Sequence, residues 1–110
     1  MEPSAQPELQ HAIDLLWAKF RPEMEERIAV LEMAAADFAA DRLSQSQHEA
    51  ANTAAHKLAG VLGTFGLTRG TVLARELEIM YSRENGPDPA VAAQLASIAA
   101  ELRKLVQNRG

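Results

Sequence analysis

Few of the 110 residues can do chemistry on a substrate, and His56 is set apart from the rest by its neighbours. A neutral imidazole is a competent nucleophile near neutral pH. The chain holds three histidines and no cysteine, which excludes thiol nucleophiles, disulfides and zinc sites built on thiolates. His48 and His56 are not at i,i+4 spacing and no HExxH pattern occurs, so the usual helical metal site is missing as well. Signatures of serine hydrolases and of phosphate-binding loops are absent. His11 and His48 read as ordinary solvated residues.

On a wheel of ~100° per residue, Ala51, Ala54, Ala55, Leu58, Val61 and Leu62 cover one side of the segment 47–62. His56 points almost directly away from them. On that outer face Glu49, Asn52 and Thr53 precede it, and Gly60 and Gly63 follow. Glycine inside a helix costs ~1 kcal/mol relative to alanine, which this chain uses freely elsewhere. Position i+4 lies beside position i, so Gly60 leaves one flank of the imidazole open to a visiting surface. Gly63 is accounted for as a helix C-cap, a role open to Gly66 also.

The elements that must hold this histidine follow from composition and punctuation. Twenty-one alanines against thirteen Val, Ile and Thr favour helix throughout and no sheet. Pro7, followed by Leu9, Ile13, Leu16, Trp17 and Phe20, predicts a short amphipathic helix over 8–20. Arg21-Pro22 interrupts it, so a fresh helix or a kinked continuation covers 22–40. Ser46 and Glu49 have the form of a capping box for a helix over 47–62. After the Gly63-Thr64-Phe65-Gly66 turn, a helix over 67–84 carries Leu73, Leu77 and Met80 and stops at Asn85-Gly86-Pro87. Asp88 as N-cap with Pro89 at the first helical position opens the last helix, over 89–107. The expected fold is all-α: a single domain over 1–110, an antiparallel up-down-up-down four-helix bundle with an additional short N-terminal helix.

Composition narrows the function classes. With 47% apolar and 24% charged residues the chain is an ordinary globular sequence. At this length it can bury roughly 60–68% of its extended surface, enough for a core but not for a core plus a deep substrate cavity. A net charge of −4 with no basic cluster argues against nucleic acid as a partner. No apolar run approaches the ~20 residues that span a bilayer, and the opening residues lack the order of a signal peptide. No membrane association and a cytoplasmic location are therefore expected. The charge is uneven, from −5 over 1–43 to near neutrality around His56 and +1 over 67–110.

The stretch from Ala55 through His56, Lys57, Leu58, Ala59, Gly60, Gly63 and Gly66 to Leu67, continuing to Leu73 and Leu77-Glu78, resembles the signature of histidine-containing phosphotransfer (HPt) domains. That pattern is His-x-Leu-Lys-Gly, a second glycine ten positions after the histidine, and a closing Leu-Glu or Leu-Gln on the next helix. One position departs from it: three after the histidine the family usually has Lys, and here stands Ala59. Lys57, beside the histidine, is the candidate to supply that charge.

The resemblance implies a phosphoryl carrier in a multistep His-Asp phosphorelay of two-component signalling. His56 would accept the group on Nε2 from a receiver-domain aspartate and pass it to another receiver. Glu78 would accept from Nδ1–H, orienting the ring and offsetting its developing charge. Asn52, Thr53, Lys57, Gly60, Gly63 and Thr64 would form the docking face. The implied partners are receiver domains of hybrid histidine kinases and response regulators, which would bring Mg²⁺; the chain itself would need no cofactor, metal or ATP site. It would act as a monomer and as a transfer intermediate rather than an enzyme. Two alternatives remain at this stage: the phosphoacceptor domain of a chemotaxis-type histidine kinase, and a helical docking module without phosphotransfer.

Overall fold

The computed structural model describes residues 5–83 and 86–109, and among them there are helices and no strand. Four α-helices, α1 (Ala5–Ala39), α2 (Gln45–Leu62), α3 (Thr68–Ser82) and α4 (Ala92–Asn108), alternate in direction, each packed mainly on its neighbours in a ring. Every helix sends apolar side chains into the core: Met24, Ile28 and Leu31 from α1, Leu58 and Leu62 from α2, Leu73 and Leu77 from α3, Leu95, Ile98 and Leu102 from α4. Such an all-α bundle is the expected class.

Of the two outcomes expected at Pro22, a fresh helix or a continuation, the structure has the continuation. The segments 8–20 and 22–40 are one 35-residue helix with Pro22 inside it, so the additional N-terminal helix is the first half of α1. A proline there removes one backbone hydrogen bond, yet Trp17 before it and Met24 after it are both buried, and their packing holds the axis through the interruption. Trp17 meets Phe65 edge-on at 5.2 Å between centroids, and the Arg109 guanidinium lies 5.0 Å from the Trp17 centroid. Arg109 also donates to the Phe65 carbonyl and pairs with Asp14, which ties the start of α1 to the end of α4. Of the apolar residues assigned to this first half, Leu9, Leu16 and Phe20 remain exposed.

Helix α2 starts two residues earlier than the sequence pattern suggests. Ser44, not Ser46, is the N-cap: its Oγ accepts from Gln47 N–H at 3.1 Å, while Gln47 Oε1 accepts from Ser44 N–H at 2.9 Å. Two overlapping boxes exist, and the earlier one wins because the Gln47 amide also donates to Asp37 of α1. At the other end Gly63 is right-handed (φ −62°) and continues into a 3₁₀ turn over Gly63–Phe65. Gly63 is the C-cap of α2, as expected, but in the right-handed region; the left-handed stop falls on Gly66 (φ 79°), which caps the 3₁₀ turn. Asp88 accepts from Ala90 N–H at 2.9 Å and so caps a 3₁₀ turn over Pro89–Val91; α4 itself begins at Ala92, three residues later than expected. Helix α3 ends at Ser82, two residues short of the expected 84; the expected stop at Asn85 lies outside the described residues.

The end of α1 uses an unusual residue. Asp41 sits at φ 57°, with Arg42 N–H donating back to the Asp37 carbonyl, the wrap-around bond of a helix that closes on a left-handed residue. A Cβ in that region is strained, and aspartate relieves only part of the strain. Asp41→Gly should therefore stabilise the protein by about 1 kcal/mol, read as a higher urea midpoint with unchanged slope. A lower midpoint would show that the Asp41 carboxylate has a stabilising role of its own.

Candidate functional site

His56 lies in the middle of α2 with its side chain 72% exposed, on the face turned away from Ala55, Leu58 and Leu62, which are fully buried. Among the described residues its one hydrogen-bond partner is Glu78 of α3: His56 Nδ1 is 2.6 Å from Glu78 Oε2. An ionised carboxylate can only accept, so Nδ1 carries the proton and donates. Neutral imidazole has one proton, which leaves Nε2 with its lone pair on the exposed side. The ring is thus oriented by one nitrogen and presented by the other.

Glu78 reaches His56 because α2 and α3 approach closely and in fixed register. Gly70 is buried, and a Cβ there would come within 2.9 Å of Leu62 Cδ1, so hydrogen at this position is what lets the two helices meet. Asn52 Nδ2 donates to the Glu78 backbone carbonyl at 2.9 Å. Thr71 Oγ1 donates to the Ala59 carbonyl at 3.3 Å, and a Cβ on Gly63 would stand 3.1 Å from the same hydroxyl. These contacts, one on either side of the His56–Glu78 pair, fix α3 along α2. Tyr81, one turn beyond Glu78, is buried among them, and burial pushes its phenol up to about 12.

The residues expected around His56 divide into two groups. Thr53, Lys57, Gly60, Gly63 and Thr64 are exposed, and a Cβ added at Gly60 would meet nothing within 4 Å. The flank beside the imidazole is open. Asn52 belongs elsewhere: its amide turns inward to α3, which makes it a tether of Glu78 rather than part of a free surface. Lys57 stands on the side of α2 facing α1, where it lines a shallow groove with Arg27, Glu49 and Thr53. Ala59 is buried against α3, 4% exposed. Gly70 and Thr71 were not singled out from the sequence; a small residue and a hydroxyl opposite Leu62 and Ala59 carry no signal until the helix pairing is known.

Among the described residues no three His, Asp or Glu side chains converge in a way that could hold a metal ion, and no helix is long and apolar enough to cross a membrane. The arrangement leaves a nitrogen lone pair accessible to a reactive centre carried on another surface.

A family model described as the Hpt domain matches residues 15–109. The chain is also similar to Protein RcaC of Microchaete diplosiphon, 30% identical over 88 residues, which are 80% of this chain and 14% of that protein. It therefore spans a small part of the length of that curated relative. No solved structure matches it significantly.

The hydrogen bond to Glu78 dictates the tautomer, which ¹⁵N NMR of the imidazole reads directly. Above neutral pH the spectrum of His56 should show Nδ1 protonated and Nε2 bare, and Glu78→Ala should shift the population towards the Nε2–H form. Identical nitrogen shifts in the two proteins would remove Glu78 from the site.

Proposed function

We propose that this chain, which belongs to the Hpt domain family, carries a phosphoryl group on Nε2 of His56 between the aspartates of receiver domains in a His-Asp phosphorelay. The observation that carries the reading is the exposed, singly partnered imidazole whose Nδ1 is committed to Glu78 at 2.6 Å.

In the first step the Nε2 lone pair attacks phosphorus in line with the P–O bond of an aspartyl phosphate on the donor receiver. The N–P bond forms as that P–O bond breaks, and the aspartate leaves as a free carboxylate. The ring keeps its Nδ1 proton and becomes a phosphorylated imidazolium. Glu78 now faces a cationic partner instead of a neutral one, so its contact strengthens as the charge develops. In the second step the carboxylate of the acceptor receiver attacks phosphorus, the N–P bond breaks, and the ring returns as neutral imidazole. No proton need be exchanged with solvent in either direction, which suits a reversible carrier.

The rest of the machinery belongs, in this reading, to the partners. In-line phosphoryl transfer needs a cation such as Mg²⁺ near the transferred oxygens, and the receiver is its source. The chain acts as a cytoplasmic monomer without autokinase activity, and its encounters are brief because each partner must be released. Gly60 suits such encounters, since its bare flank lets a receiver's acidic loop approach Nε2.

The reading is tested by incubating the protein with a phosphorylated receiver and following acid-labile, base-stable label. Wild type should take up the label and His56→Gln should not. Glu78→Ala should slow uptake roughly tenfold or more without abolishing it. Gly60→Gln should raise the melting temperature, since glycine costs ~1 kcal/mol in a helix and nothing occupies the space, while slowing transfer by crowding the ring. Label on His56→Gln would reject the carrier assignment. Label that appears only with ATP and a kinase catalytic domain would favour the phosphoacceptor domain of a chemotaxis-type kinase.

A further inference from the structure

The carrier reading leaves a charge unaccounted for. A phosphoryl group on Nε2 brings close to two negative charges to a ring already in contact with the Glu78 carboxylate, against one positive charge on the imidazolium. Position 59, where the family pattern has lysine, offers only a buried methyl group. A cation from another position must lie near the transferred oxygens if the loaded state is to persist.

Three cations flank the site, and geometry separates them. Arg27 of α1 is paired with Glu23 at 2.9 Å. Lys57 is adjacent in sequence to His56, and successive helical residues do not face one another; it lines the groove towards α1 with Thr53 and Arg27. Arg75 is different. It is four residues after Thr71, which bonds the Ala59 carbonyl, and three before Glu78, which bonds His56. Residues at these spacings share one strip of a helix, so Arg75 stands on the strip of α3 that borders α2.

Its height along the bundle is set in the same way. With 1.5 Å of rise per residue, Arg75 lies about 4.5 Å from Glu78 in the direction of Thr71. Asn52 meets Glu78 and Ala59 meets Thr71, so Arg75, between those two contacts on the antiparallel α3, stands at the level of Ala55 and His56. One turn further along α2 the space beside Gly60 is open, so nothing there screens the imidazole. Arg75 is exposed and makes no ion pair among the described residues. The other arginine of this helix, Arg69, is by contrast committed to Glu101 of α4 at 3.0 Å.

We propose that Arg75, from α3, supplies the cation that holds the phosphoryl group on Nε2 of His56, in place of a lysine at position 59. This rests on the carrier reading. A guanidinium suits the task because its planar donors match two phosphoryl oxygens at once. The substitution moves the cation from the helix that bears the histidine to the helix that bears its orienting carboxylate, so one helix then sets both the ring and the group it carries.

The test loads the full chain with potassium phosphoramidate, which needs no receiver, and follows the phosphoryl group by ³¹P NMR as a function of pH. A nearby cation favours the more highly charged phosphoryl form. Arg75→Ala should therefore raise the midpoint of the phosphoryl titration by roughly half a unit to one unit, with circular dichroism unchanged. Arg75→Lys should restore most of the shift, and Lys57→Ala should leave the midpoint where it is. An unaltered midpoint in Arg75→Ala, or the shift appearing in Lys57→Ala instead, overturns the assignment while leaving the carrier reading intact. Equal labelling of wild type and His56→Gln overturns the carrier reading itself and this assignment with it.

Discussion

The hydrogen bond from Nδ1 of His56 to Oε2 of Glu78 is the constraint on which the rest of the site depends. An exposed histidine on a helix turns about two side-chain bonds and exchanges its proton between two nitrogens. A single carboxylate at 2.6 Å limits both freedoms, because the bond has a direction and because the acceptor demands a proton from the nitrogen it faces. The outer nitrogen is left bare as a consequence. Placing the partner on α3 rather than on α2 makes this orientation a property of the bundle, and the reactive nitrogen inherits the rigidity of the core.

Much of the packing between α2 and α3 serves that one bond. Gly70 brings the axes together over Leu62, Asn52 holds the backbone at Glu78, and Thr71 holds the backbone at Ala59. Farther away, the contacts among Trp17, Phe65 and Arg109 fix the 3₁₀ turn that joins these two helices, while Arg103 and Glu32, 2.6 Å apart, join α4 to α1. They determine where Glu78 stands.

The sequence carried the helices and the histidine well, and for physical reasons. The apolar spacing across 47–62 places His56 outward whatever the neighbouring helices do, and the energetic cost of Gly60 marks the open flank before any packing is known. Glu78 was reached only through the resemblance, since twenty-two intervening residues and a turn give no local signal of contact. Asn52 was assigned to the docking face because a wheel drawn for one helix cannot show where the next helix lies. At Pro22, where a fresh helix was one of two expected outcomes, and at Ser46, expected as the cap, the structure differs for a shared reason. Local rules gave a defensible answer, and contacts with residues distant in space, through Trp17 and Met24 in one case and Asp37 in the other, selected a different one. Arg75 is legible only once Thr71 and Glu78 are both seen to face α2.

In the proposed function, the Glu78 carboxylate occupies one nitrogen of His56 and so leaves the other for transfer. The decisive experiment identifies the phosphorylated atom after transfer from a receiver, by two-dimensional ¹H–³¹P and ¹⁵N correlation spectra of the loaded protein. Phosphorus should be bonded to Nε2 of His56, with Nδ1 still protonated and bound to Glu78. Phosphorus on Nδ1, or on any other residue, would contradict the proposed function.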